Sequence, residues 1–138
     1  MTSNAIRIPE RCVIDTVALV QYLTVYEKLG KQAKAVFAAA EEGRSSLIIS
    51  PILIGEFYYW NGKHDHFDNI QEVLDEIEAS SWFEFVPLTV KQAREFLELR
   101  AIPEMHDRLI AGHARKLGLP LVTNDPMIID SNYVPIIW

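Results

Sequence analysis

The chain has 138 residues, 49% of them apolar, with a single cysteine and a formal net charge of −6. That length suits one domain, residues 1–138, with a core of ordinary size, and the negative charge excludes a protein that grips DNA through a broad basic face. It leaves room for a nucleic-acid enzyme whose acidic site is offset by a metal.

No apolar run approaches the roughly 20 residues that cross a bilayer, and the start MTSNAIRIPER lacks the basic-then-apolar layout of a signal peptide. A cytoplasmic protein with no membrane contact is therefore expected. Cys12 cannot form an internal disulfide, and inside CVID it reads as a small packed side chain.

CVID predicts a strand, and TVALVQYLTVYEKLG predicts a helix that stops at Gly30. KQAKAVFAAAEEG follows as a second helix with Gly43 as its stop. SSLIIS is again strand-like, and Ser50 with Pro51 marks the start of a third helix as N-cap and first helical residue. NGKHDHFDN is expected to be a loop. IQEVLDEIEA then carries Ile70, Val73, Leu74 and Ile77 at amphipathic spacing.

WFEFVPL is a strand candidate cut off by Pro87, and Thr89 is expected to cap VKQAREFLELRA with Val90, Ala93, Phe96 and Leu97 facing inward. Pro103 is expected to open the next helix, which runs through Leu117. LPLVTND supplies a strand and turn, PMIID a helical turn, and YVPIIW an edge strand, because Pro135 cannot donate to a ladder. Strands alternating with helices imply an α/β fold with a central parallel sheet covered on both faces. In such sheets ligands sit beyond the carboxyl ends of the strands, where strand order reverses.

Four acids gain meaning from that rule. Asp15 and Asp125 each end a strand segment, so both belong on the same rim if the strands are neighbours. Glu56 lies in the apolar helix SPILIGEF, and Asp107 lies one turn into HDRLIAGHA. Each has an ordinary alternative: Asp15 and Asp125 as N-caps, Asp107 as a helix-dipole acid, Glu56 as an arginine partner. Burying a carboxylate without compensation costs several kcal/mol, and a divalent cation resolves that conflict. Carboxylate oxygens suit Mg²⁺ or Mn²⁺, and such a site can polarise a phosphodiester and activate water.

Taken together, CVIDT, SPILIGEF, HDRLIAGHARKLGLPLVTND and the closing VPIIW resemble the PIN-domain family, in particular the VapC-like toxins of prokaryotic toxin–antitoxin pairs. The resemblance runs nearly end to end. It assigns Asp15, Glu56, Asp107 and Asp125 as metal-binding acids and Thr123 as a hydroxyl that helps to organise metal-bound water. It implies a three-layer α/β/α sandwich, a Mg²⁺- or Mn²⁺-dependent ribonuclease acting on RNA, homodimerisation and inhibition by an antitoxin. Two positions depart from the family pattern: Val17, where a small polar residue is common, and Gly112, where alanine is usual.

Other functions fit less well. His106 beside Asp107 suggests a metal phosphohydrolase, but that class is all-helical and needs further histidines. A receiver domain would want an acidic pair near the first strand and a late lysine. A PIN domain that binds RNA or protein without cutting is the main alternative. Arg94, Arg108, Arg115 and Lys116 could steer an RNA backbone, although basic helix positions are more often a solvated face. Tyr58, Tyr59, Trp60, Trp82, Phe83 and Phe85 could stack on bases, but their setting favours core or an oligomer contact.

Overall fold

The computed structural model describes residues 7–138, so the first six residues of the stretch read as lacking a leader lie outside it. The sheet is built from β1 (Arg11–Ile14), β2 (Ser46–Ile49), β3 (Phe83–Phe85), β4 (Leu121–Val122) and β5 (Ile136–Ile137), in the order β3-β2-β1-β4-β5. Every pairing is parallel, with Val13 opposite both Ile48 and Leu121. Cys12, Val13 and Ile14 are fully buried, as are Leu47, Ile48 and Ile49. Strands covered on both faces need such continuous apolar runs, and the helices supply the two outer layers of an α/β/α sandwich.

The chain leaves β1 in one direction to build β2 and β3, then crosses back to place β4 on the other side of β1. The reversal lies between β1 and β4. Strand β5 is an edge, as Pro135 suggested, and the Pro135 carbonyl still accepts from Leu121 N–H at 2.9 Å.

Helix α1 (Thr16–Thr24) ends earlier than its sequence predicts, and a 3-10 turn, Tyr26–Lys28, fills the space to Gly30. Val25 breaks the helix with φ −137°. Gly30 does more than stop a helix: a Cβ there would lie 2.1 Å from the Trp138 carbonyl oxygen. That oxygen accepts from Ala33 N–H at 2.9 Å and so ties the start of α2 (Lys31–Glu41) to the last strand.

Helix α3 (Pro51–His64) starts at Ser50 as expected but continues through four residues read as loop. The Asn61 side chain stabilises this extension by accepting from Phe67 N–H at 2.8 Å and donating to its carbonyl at 3.1 Å. Helix α4 (Ile70–Ala79) buries Leu74 and Ile77. Thr89 and Gln92 close a capping box on α5 (Val90–Arg94), after which the chain tightens to a 3-10 turn, Glu95–Leu99. That change of pitch turns Leu97 outward, 65% exposed, and buries Leu99 instead, while Val90, at the very start of α5, is 78% exposed.

Glu104, rather than Pro103, caps α6 (Met105–Leu117), accepting from Asp107 N–H at 2.7 Å. Gly112 lies against Leu99, where a Cβ would approach to 3.1 Å. Helix α7 (Pro126–Ser131) precedes β5. Cys12 is fully buried, in keeping with a packing role. Among the described residues no helix is long and apolar enough to cross a membrane.

Candidate metal centre

The reversal of strand order places the carboxyl ends of β1 and β4 side by side, and Asp15 N–H donates to the Val122 carbonyl at 3.1 Å. Asp15 follows β1 directly and is only 5% exposed. Its Oδ1 accepts from Ala18 N–H at 2.8 Å, so the same carboxylate caps α1. Capping and site membership, weighed as alternatives from sequence, coexist here. Thr123, fully buried just past β4, also hydrogen-bonds the Asp15 carboxylate. Its Oγ1 accepts from Asp125 N–H at 3.1 Å.

Burial pushes the Asp15 carboxyl up to about 6, with smaller upward pushes from Asp125 and Glu56; the bonds from Thr123 and Ala18 pull the other way. Asp125 sits at the start of α7 and its Oδ1 accepts from Met127 N–H at 2.8 Å and Ile128 N–H at 3.3 Å. Asp107, in the first turn of α6, is raised to about 7, first by desolvation and then by the charges of Asp125 and Glu104, by a hydrogen bond to Asp125 and by Glu56. Neighbouring negative charges with no cation between them push a carboxyl up in this way.

Glu56 enters from α3, where Leu53 and Phe57 hold the helix to the core. Thr16 donates to Glu56 Oε1 at 2.6 Å. The four sequence-predicted acids and Thr123 therefore meet at one rim, from four separate segments. Sequence reasoning missed two contributors. Thr16 was visible only as part of CVIDT, and Glu104 gave a signal in its spacing, Glu-x-His-Asp, that was not used.

Glu104 brings His106 into the site, with Nδ1 to Glu104 Oε1 at 2.6 Å and to Glu56 Oε2 at 3.9 Å. One ligand atom each from Glu56, Glu104 and His106 lie within 4.8 Å of one another. The pair with Glu104 raises the His106 imidazole and lowers the Glu104 carboxyl. The His106–Glu104 ion pair accounts for this tight grouping, whereas the Asp15, Asp107 and Asp125 carboxylates have no such cation.

Among the described residues no lysine or arginine pairs with any of the four acids. A buried carboxylate with further carboxylates beside it, all oxygen donors, fits a hard divalent cation. Arg108, Arg115 and Lys116 are engaged elsewhere: over the Phe96 ring at 4.2 Å, over the Tyr133 ring at 5.6 Å, and on Glu95 at 2.9 Å. They pack α6 against its neighbours, while Arg94 is exposed.

The family model described as the PIN domain matches residues 12–131. No curated protein sequence matches significantly. Among solved structures the chain is similar to VapBC2 from Rickettsia felis bound to a DNA fragment from its promoter, at 22% identity and TM-score 0.70, covering 91% of this chain and 96% of that one. It is similar also to FitAcB from Neisseria gonorrhoeae, at 18% identity and TM-score 0.62, covering 91% and 95%. A structure of FitAB bound to the IR36 DNA fragment gives 17% identity and TM-score 0.62, covering 91% and 92%. These likenesses are of fold, and the match over 12–131 fixes the family: the chain belongs to the PIN-domain family.

Proposed function

We propose that this single domain is a Mg²⁺- or Mn²⁺-dependent endoribonuclease, the toxin of a toxin–antitoxin pair. The observation that carries it is the meeting of Asp15, Glu56, Asp107 and Asp125 at the point where strand order reverses, with two of their carboxyls pushed toward neutrality. Asp15, Glu56, Asp107 and Asp125 would hold the ion directly or through water. When bound, such an ion polarises the phosphodiester and lowers the pKa of a water molecule.

The protein's own groups do the positioning. Ala18 N–H and Thr123 fix the Asp15 carboxylate, and the Thr16 hydroxyl fixes Glu56. Thr123 also anchors the backbone of Asp125, and its hydroxyl would help to orient a water beside Asp15. Asp107, its carboxyl raised to about 7, would have to be deprotonated to hold a cation, which would link binding to pH. The fold likeness to proteins described as VapBC2 and FitAB supports a cognate antitoxin as partner. A homodimer and a cytoplasmic location complete the proposal.

The test incubates purified protein with a pool of labelled RNAs in Mg²⁺, Mn²⁺ or EDTA, beside Asp15→Asn. Cleavage that needs metal and is lost in the variant supports the proposal. Cleavage that persists equally in EDTA sinks it, and metal-independent RNA retention without products favours the non-cutting PIN domain.

A further inference from the structure

A groove of about 990 Å³ opens beside the carboxylates, between α3, the start of α1 and the first turn of α6. Thr16, Glu56 and His106 line it and also belong to the acid site, so the groove and the candidate metal centre are continuous. Away from the acids its walls become apolar. Val17, 45% exposed, forms one side.

On α3 the residues Glu56, Tyr59 and Lys63 recur at i, i+3 and i+7, which puts them in line on one helix face. Seven residues of helix span about 10 Å, a short step along an extended nucleic-acid strand. Tyr59 is 69% exposed, and the Lys63 ammonium lies 4.9 Å from its ring centroid. Trp60 behaves differently: its ring stacks on Phe57 and gives the groove a floor fixed to the core. His64 packs against Trp60 at the same end as Lys63.

An exposed aromatic ring with a cation over one face serves no core purpose, but its remaining exposed surface and that cation match a nucleobase and a backbone phosphate. In a chain of net charge −6, a polyanion cannot be held by a broad basic surface. Stacking and a few well-placed cations must do it. Duplex RNA does not offer its base faces, whereas an unpaired strand does.

We propose that this groove seats an unpaired RNA strand, with a base next to the scissile phosphate stacked on Tyr59 and a neighbouring backbone phosphate on Lys63. This rests on the ribonuclease function proposed above. Val17 then supplies apolar wall for the strand, which gives the departure from the family pattern a use.

The test measures fluorescence anisotropy of a labelled single-stranded RNA in EDTA, where the acids hold no metal and the strand stays intact. Tyr59→Ala weakens binding by about 5- to 100-fold, the range for losing one stacked base, while Tyr59→Phe keeps it. Lys63→Ala reduces the salt slope of binding by about one. A strand carrying 4-thiouridine cross-links to the peptide that contains Tyr59.

Wild-type affinity in Tyr59→Ala, or cross-links confined to other segments, overturns the proposal. So does a Tyr59→Ala variant with unchanged RNA affinity whose sedimenting mass falls, because the groove is then a contact between two copies. Calorimetric Mn²⁺ titration separates the two proposals: if Tyr59→Ala binds Mn²⁺ like the wild type yet RNA affinity is unaffected, only the groove fails. If the wild type binds no Mn²⁺, the metal site fails and the anisotropy still decides the groove.

Discussion

The Thr16 hydroxyl donates a 2.6 Å hydrogen bond to Glu56 Oε1, joining the first residue of α1 to the middle of α3 across 40 residues of sequence. The bond holds one candidate ligand still without touching a metal itself. Removing a group that orients a metal ligand typically costs 10- to 100-fold in affinity. Thr16→Val therefore raises the Mn²⁺ concentration needed for half-maximal RNA cleavage by about that range, with the rate at saturating Mn²⁺ largely restored. Thr16→Ser keeps the wild-type requirement. A rate deficit in Thr16→Val that excess metal does not relieve would place the hydroxyl in the reaction itself.

The raised carboxyls make stability depend on pH in a defined direction. Asp15 at about 6 and Asp107 at about 7 both exceed the ordinary aspartate value of 3.8, so folding favours their protonated forms. The stability they contribute is fully present below that value and is lost progressively over the window from there up through about 6 to 7. In EDTA the melting temperature falls as pH rises through that window, and Mg²⁺ or Mn²⁺ restores it on the alkaline side. Asp15→Asn keeps an amide oxygen for the α1 cap, flattens the fall and loses much of the metal-dependent rise. Scanning calorimetry across the window checks both effects.

His113 works in the opposite direction. It is fully buried on α6, and neither ring nitrogen reaches a hydrogen-bond partner. Desolvation lowers its pKa below 6.5, although the nearby Pro87 backbone pulls weakly the other way. The stability from its neutral form is present above the unfolded value and is lost as pH falls through the lowered one. His113→Leu therefore loses less melting temperature than the wild type on acidification from about pH 7 to pH 5. An unchanged difference between the two proteins across that range would mean that folding leaves the His113 pKa where it is in the unfolded chain.

Gly30 meets Trp138 so closely that any side chain must displace backbone: the added Cβ would sit 2.1 Å from a carbonyl oxygen. Gly30→Ala should cost at least the 1–3 kcal/mol typical of overpacking, roughly, and loosen the β4–β5 edge with it. Urea unfolding gives the cost, and amide exchange at Thr123 and Ala33 locates it. Gly112→Ala is milder, since the facing Leu99 methyl can move.

Where structure follows from short local signals, the sequence is readable. Ser50-Pro51 and Thr89 with Gln92 cap their helices as their chemistry requires. Asp15, Glu56, Asp107 and Asp125 were legible as candidates because each breaks an apolar pattern, whereas Thr123 was named only through the family resemblance of TND. Their convergence depended on β1 lying beside β4, a long-range fact that no local pattern contains. The misses have the same origin. Leu97 followed helical spacing, but the shift to a 3-10 turn after Arg94 rotated it outward. Asn61 holds α3 together through bonds to the Phe67 backbone within the same polar stretch, a pairing of side chain and backbone that its polar composition does not reveal. Glu104 was hidden by Pro103, whose helix-opening signal is the more familiar one.

The central claim, that these carboxylates are assembled to hold a divalent ion, is tested most directly by calorimetric titration with Mn²⁺ on the alkaline side of about pH 7, where Asp15 and Asp107 are ionised. The account predicts saturable binding by the wild type, proton release that grows as pH is lowered toward 6, and loss of binding in both Asp15→Asn and Asp125→Asn. No binding at millimolar Mn²⁺, or binding that both variants retain unchanged, would contradict it.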